Sequence, residues 1–184
     1  RANFARINAS LENREMTLED ATEELERLRF SWRGDDFEFE LLRRLGDLYL
    51  DIGDYRKSLS VHRLGVTYFP NLPDTKVVSQ EMNGVFKKLF LDGEADAMSA
   101  ISALALFYDF RELTPIGEDG DEMIRQLATR LVSVDLLDQA AQLLKHQVEF
   151  RLKTVKKARV GLRLAVIYML NRKSRRLWCR RCDV

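Results

Sequence analysis

Two amphipathic helices joined by a very short turn constrain this chain more than any other feature. Apolar residues recur at three- and four-residue spacing from Leu41 to Ile52 and again from Tyr55 to Phe69, as they do on one face of an α-helix. Gly53 and Asp54 interrupt the pattern. Glycine suits the left-handed residue that ends a helix, and aspartate caps the next one. The helices are therefore predicted to fold back antiparallel, and such a hairpin needs similar neighbours to cover its faces.

The same stretch resembles one tetratricopeptide repeat, a 34-residue helix hairpin. The residues that carry the resemblance are Leu45-Gly46, Tyr49, Gly53, Tyr55, the small residues Ser58 and Gly65, and Pro70. Leu42 stands where the family often has tryptophan, and His62 where it has a large aromatic residue. The resemblance implies an all-α, right-handed α-solenoid of antiparallel helix hairpins with about eight or nine helices. It also leads us to expect a fragment of a larger bacterial protein.

Further hairpins are predicted along the chain, with more divergent residues. Thr17, followed by two acidic residues, marks the start of a helix over 17–30. Hairpins follow at about 39–72, 74–112, 119–152 and 155–173, within a single repeat domain of residues 1–173. The second helix of the 74–112 hairpin is predicted to run unbroken from Glu94 to Phe110. The repeat starts, near 39, 79, 121 and 158, predict an irregular array.

The C-terminal end changes in character. The first helix of the last hairpin is predicted to end near Leu170, and a second helix should start near Ser174. The residues there lack the expected alanine-rich apolar stripe. We interpret 174–184 as an atypical basic tail, truncated or disordered. No run of about 18 apolar residues suggests a transmembrane helix. A cytoplasmic location is favoured.

No metal site, cofactor or enzymatic activity is predicted. We predict that His62 and His146 lie on buried or half-buried sides of second helices, where they are packed and hydrogen-bonded. A metal site is not expected, because neither has a cysteine nearby or a second histidine three or four residues away. The acidic run 118–122 is explained by the positive end of a helix. Cys179 and Cys182 have zinc or redox spacing without a second pair. Phosphate-binding, nucleophile-elbow and zinc-protease motifs are lacking.

Charge is distributed unevenly. Residues 1–120 carry 15 Lys and Arg against 23 Asp and Glu, whereas residues 121–184 carry 15 against 6. Two interpretations remain open: steering of charged partners to one end, or acidic and basic segments that complement each other when stacked. The segment 145–181 has thirteen basic residues and one acidic residue. This segment supports an alternative function, nucleic-acid binding, and the shortage of exposed aromatic residues for base stacking argues against it.

The resemblance implies a scaffold that binds a peptide or protein on the concave face formed by the first helices. By spacing, the exposed positions on that face are Glu40, Arg43, Asp47, Asp51, Arg125, Thr129 and Arg163. Arg43 and Asp47 stand where one subgroup of the family has the Lys and Asn that clamp a terminal carboxylate, which argues against that role. Both are predicted to be free for a partner.

Self-association is a further expectation. The last hairpin should leave one apolar flank uncovered, and a second copy of the chain could pair with it. The residues of that flank are Leu162, Ala165, Val166 and Met169.

Overall fold

A computed structural model describes residues 1–31, 34–152 and 154–181, with residues 154 and 172–181 described by their backbone alone. It is 81% helical, and the described residues contain no strand. The predicted all-α class is therefore confirmed. The chain divides into two compact units, Arg1–Gly84 and Val85–Val184, and the prediction of one domain over 1–173 stays a prediction.

The first unit contains α1 (Ala2–Glu12), α2 (Leu18–Ser31), α3 (Asp36–Ile52) and α4 (Tyr55–Tyr68), followed by the start of α5 (Thr75–Phe90). From α1 to α4, each helix packs on the next in the sequence. Ile7, Leu25 and Leu45 lie fully inside the core that α1, α2 and α3 share. Since these apolar positions recur at helical spacing, burial of one face per helix accounts for the arrangement.

The turn between α3 and α4 has the predicted geometry. Gly53 is left-handed, with φ +85°, and the Asp54 N–H donates to the Tyr49 carbonyl at 2.8 Å. The Asp54 carboxylate then accepts from the Lys57 N–H at 3.1 Å and caps α4. The α3–α4 hairpin is confirmed, because glycine ends one helix where aspartate begins the next.

Small residues allow α3 and α4 to approach closely. A Cβ added to Gly46 would lie 2.3 Å from His62 Nε2, so only glycine fits opposite this ring. His62 is 3% exposed, and its Nε2 lies 3.3 Å from the Arg43 carbonyl oxygen. The prediction of a packed, hydrogen-bonded His62 is confirmed.

The described residues of the second unit contain the end of α5 and four further α-helices. They are α6 (Ala100–Asp109), α7 (Glu118–Ser133), α8 (Leu137–Phe150) and α9 (Thr154–Arg181), with short 3₁₀ helices at Glu94–Ala97 and Arg111–Leu113. Phe86 and Phe90 of α5 pack on Phe107 of α6, with ring centroids 5.8 and 5.4 Å apart. From α6 onward, each helix packs on its successor in the sequence.

The prediction of an unbroken helix from Glu94 to Phe110 is wrong. Met98 is extended, with ψ 166°, and separates the 3₁₀ turn from α6. The Ser99 hydroxyl accepts from the Ser102 N–H at 3.0 Å and caps α6. A serine that caps a new helix competes with its continuation through the same residues, and here the cap wins.

The break predicted between Leu170 and Ser174 is also wrong, because α9 continues from Thr154 to Arg181. Neither glycine nor proline occurs after Gly161, and lysine and arginine are good helix formers. The backbone of 174–181 is therefore helical, and the interpretation of 174–184 as an atypical basic tail stays a prediction. The side chains of 172–181 and all of 182–184 lie outside the described residues, so the cysteine interpretation is untested.

Gly46→Ala should destabilise the chain although alanine is the better helix former, because the new methyl group would displace the buried His62 ring. Overpacking of this kind costs about 2 kcal/mol. Gly84→Ala is the matched control: a Cβ there meets nothing within 4 Å, so stability should rise by up to about 1 kcal/mol. Urea denaturation of both variants measures the difference, and equal effects would contradict the close approach.

Tyr49 gives the first unit a dependence on alkaline pH. Its hydroxyl donates to Glu26 at 3.0 Å, and burial, followed by this hydrogen bond, raises the pKa of Tyr49 to about 12 from 10.0. The unfolded chain therefore releases this proton first, so the stabilisation is complete below pH 10 and is lost as the pH rises towards 12.

Tyr49→Phe should remove this part of the stability that is lost at alkaline pH, which is on the order of 2 kcal/mol of unfolding free energy when the loss is complete. Urea denaturation of both proteins at pH 8 and pH 11 provides the measurement. The free energies of unfolding should differ more at pH 8 than at pH 11. A difference that is the same at both values would contradict the assignment.

Candidate functional site

The predicted binding residues of α3 fall into two groups. Glu40 and Asp51 are exposed. Arg43 instead forms ion pairs with Asp74 at 3.2 Å and with Glu81 of α5 at 3.5 Å. The prediction that Arg43 is free for a partner is wrong, because its guanidinium holds α3 to the start of α5.

Asp47 has an intramolecular neighbour too. Its Oδ1 lies 3.4 Å from His62 Nε2, and the carboxylate remains 42% exposed. The carboxylate therefore faces the α3–α4 contact on one side and solvent on the other, and the prediction that Asp47 is free for a partner stays a prediction.

The predicted residues of the second unit lie together on α7 and α9. Arg125 pairs with Glu122 one turn earlier in α7. The Thr129 hydroxyl donates to the Arg125 carbonyl at 2.7 Å and accepts from the Arg163 guanidinium at 2.6 Å. Thr129 and Arg163 thus connect α7 to α9, and the structure brings these three residues to one surface.

The acidic start of α7 supplies further contacts of the same kind. Asp119 accepts from Lys87 of α5 at 2.8 Å, and Glu118 pairs with Lys156 of α9. The hydrogen bond from Lys156 lowers the pKa of Glu118. The predicted complement between acidic residues and a helix start is confirmed. The same carboxylates also reach the cations of two other helices.

A groove lies between α5 and α7, with a volume of about 500 Å³. We call it the α7 groove. Apolar side chains form its floor and uncharged polar side chains much of its rim. The lining residues are Leu89, Phe90, Gly93, Ala95, Asp96, Gln126, Leu127, Thr129, Arg130 and Ser133. Of the predicted binding residues, Thr129 lies in this lining.

Arg130 closes one end of the α7 groove. Its guanidinium donates to the carbonyl oxygens of Ala95, Asp96 and Met98, on the 3₁₀ segment that precedes α6. The side chain therefore fixes the 3₁₀ turn and the extended Met98 that follows it. Its hydrogen-bonding capacity is used within the chain, which leaves Gln126 and Thr129 as the rim groups that face the groove.

The structure also contains a second cavity of about 530 Å³, which we call the α8 cleft and which was not predicted from the sequence. It lies where α6, α7 and α8 meet the segment that follows α6. The lining residues are Phe107, Tyr108, Arg111, Glu112, Thr114, Ile124, Gln142, Leu143, His146 and Arg151. Gln142 and His146, one helical turn apart in α8, are the signal that could have pointed to it.

His146 differs from its predicted place. It is exposed, and its ring lies 5.1 Å from that of Phe150. In the same cleft, burial raises the pKa of Tyr108, and the buried hydroxyl oxygen of Thr114 has no hydrogen-bond partner among the described residues. The α8 cleft thus has an apolar floor and several polar groups.

Arg151, in the lining of the α8 cleft, joins three parts of the second unit. Its Nε donates to Asp121 at 3.1 Å and a terminal nitrogen donates to the Pro115 carbonyl at 2.6 Å. A Cβ on Gly120 would lie 2.0 Å from that carbonyl oxygen, so glycine is required there. The ion pair is mostly buried, with side chains 23% and 17% exposed.

The described part of the chain holds no group of three His, Cys, Asp or Glu side chains arranged for a metal ion. None of its helices combines the length and the apolar character needed to cross a bilayer. Of the basic residues in α9, Lys156 pairs with Glu118, and the side chains from 172 onward are not described.

Comparison with protein-family models, curated protein sequences and solved structures found no match. The repeat resemblance therefore depends on the residues of the 39–72 hairpin.

Arg151→Met should lower the free energy of unfolding by about 2 kcal/mol, because it leaves Asp121 and the Pro115 carbonyl without their donor. Arg125→Met is the control. The Arg125–Glu122 pair is more exposed, at 39% and 37%, so its loss should cost less than about 0.5 kcal/mol. Equal losses in thermal or urea denaturation would contradict the structural role of Arg151.

Proposed function

We propose that the chain is a non-enzymatic helical-repeat scaffold that binds a peptide segment of a partner protein in the α7 groove. The observation that carries this proposal is the composition of the groove. Leu89, Phe90 and Leu127 offer an apolar floor, and Gln126 and Thr129 offer uncharged hydrogen-bonding groups at the rim. Apolar walls with a few polar groups, in a volume of about 300–1,000 Å³, are typical of binding pockets.

The position of the groove supports the same function. It lies between α5 and α7, which the repeat resemblance counts as consecutive first helices, and that resemblance gives ligands to the first-helix surface. A right-handed solenoid with a concave first-helix face belongs to this proposal. Its support is that, among helix pairs with extensive contacts, the partners follow one another in the sequence.

The rim groups suit a peptide backbone. The Gln126 amide both donates and accepts hydrogen bonds. The Thr129 hydroxyl, whose proton goes to the Arg125 carbonyl, keeps one lone pair as an acceptor, so the two groups together match N–H and C=O groups of a bound chain. The apolar floor would receive side chains of that chain. Of the predicted residues, Thr129 contributes directly, Arg125 and Arg163 hold its hydroxyl in place, and Glu40 and Asp51 remain exposed candidates on α3.

A pair of glutamine variants tests the location of the site. A phage library of random 12-residue peptides is selected on the whole chain, and the affinity of an enriched peptide is measured by fluorescence anisotropy. Gln126→Arg places a large cation at the rim of the α7 groove and should weaken binding at least tenfold. Gln142→Arg makes the same change at an exposed glutamine of the α8 cleft and should leave the affinity unchanged.

The reverse pattern would move the site to the α8 cleft. A library that yields no peptide, or peptides indifferent to both variants, would contradict binding in either cavity. Circular dichroism of each variant verifies that the helical content is intact.

A further inference from the structure

A second surface, separate from both cavities, lies along α9. Val155, Leu162 and Met169 are 74%, 70% and 59% exposed, and Val166 is 43% exposed. Ala158 and Ala165, also exposed, lie between them. We call these six residues the α9 stripe. An uninterrupted apolar strip of this kind on a surface helix marks an interaction site more often than isolated apolar residues do.

The spacing of the α9 stripe indicates what shape of partner it fits. Val155, Leu162 and Met169 are seven residues apart, and Ala158 and Ala165 repeat at the same interval. A seven-residue repeat of large and small apolar residues is the pattern of a helix that pairs with another helix. Over fifteen residues the stripe is about 22 Å long, which matches a partner helix of about four turns.

The opposite face of α9 is already occupied. Val160 and Ile167 are 6% and 2% exposed, α9 packs extensively on α8, and Asn171 donates to Asp138 of α8 at 2.5 Å. Because one face holds the helix to its own unit, the α9 stripe points away from α8. A helix of a partner protein could therefore pack on the α9 stripe without any rearrangement of α9.

Charge indicates the chemistry of that second helix. Residues 154–181 contain ten Lys and Arg and no Asp or Glu. Arg159 stands at the edge of the α9 stripe, three residues before Leu162, and it is exposed, as is Lys157. We propose that the α9 stripe binds an amphipathic helix of a partner protein whose flanking positions are acidic. Complementary charges beside an apolar seam set the choice of partner in helix pairing.

The same observations rank other occupants lower. A second copy of α9 would bring two helices without acidic residues together, so like charges would face each other. Nucleic acid would use the cations but not the aliphatic side chains of the stripe. An anionic membrane would use both, yet membrane binding does not require the seven-residue alternation of large residues with alanine.

Two synthetic peptides test the proposal on the whole chain. Each has 21 residues with capped ends, leucine and alanine at the two heptad core positions, and glutamine elsewhere. One carries glutamate at the flanking positions and the other carries lysine. The acidic peptide should bind at least tenfold more tightly in fluorescence anisotropy at low ionic strength. Salt at about 0.5 M should reduce the difference, because it screens exposed charges.

Matched variants of the chain locate the binding. Leu162→Glu should lower the affinity of the chain for the acidic peptide at least tenfold. Ile101→Glu, on α6 and 65% exposed against 70% for Leu162, should have no effect. Arg159→Glu should shift the preference toward the basic peptide. Because all three side chains are exposed, the variants should fold, and circular dichroism verifies this.

Several outcomes would overturn the proposal. These are binding of neither peptide, equal binding of both, or indifference to Leu162→Glu. Sedimentation equilibrium that shows a dimer dissociated by Leu162→Glu would assign the stripe to a second copy. Retention on phosphatidylserine vesicles that Leu162→Glu abolishes, without peptide binding, would assign it to a membrane.

Discussion

An amphipathic hairpin covers only one side of each of its helices, and most of this structure follows from that limit. The α3–α4 hairpin closes its inner side through the contact of Gly46 with His62. Its outer side needs neighbours, and α2 packs on α3 for this reason. In the second unit, α7 and α8 form the same kind of pair, and α6 and α9 pack on either side of it. Burial at these contacts supplies the main stabilisation.

Polar contacts then fix how neighbouring helices align. Arg43 reaches α5 in the first unit, and Arg163 connects α9 with α7 in the second. These side chains occupy positions that a repeat protein can also use for its ligand. A side chain that holds two helices in register has fewer hydrogen-bonding groups left for a binding partner. The proposed site therefore uses groups such as Gln126, which lines the α7 groove.

Several parts of the fold could be predicted from the sequence because they depend on local chemistry. Gly53 and Asp54 identify the α3–α4 turn, and the acidic residues of the first turn of α7 identify its start. Other parts could not be predicted this way. Ser99 is a competent helix residue and a good cap, and only its surroundings decide between the two. The continuation of α9 past Leu170 was missed because a loss of apolar periodicity is not itself a stop signal.

The site shows the same division. Sequence spacing by itself placed Arg125, Thr129 and Arg163 on first helices, since helical periodicity fixes which face a residue occupies. Only the tertiary structure decided that Arg43 is used in ion pairs and that His146 is exposed. It also decided where the two cavities lie. Those outcomes depend on distances between helices that are far apart in the sequence, and no local pattern of residues encodes such distances.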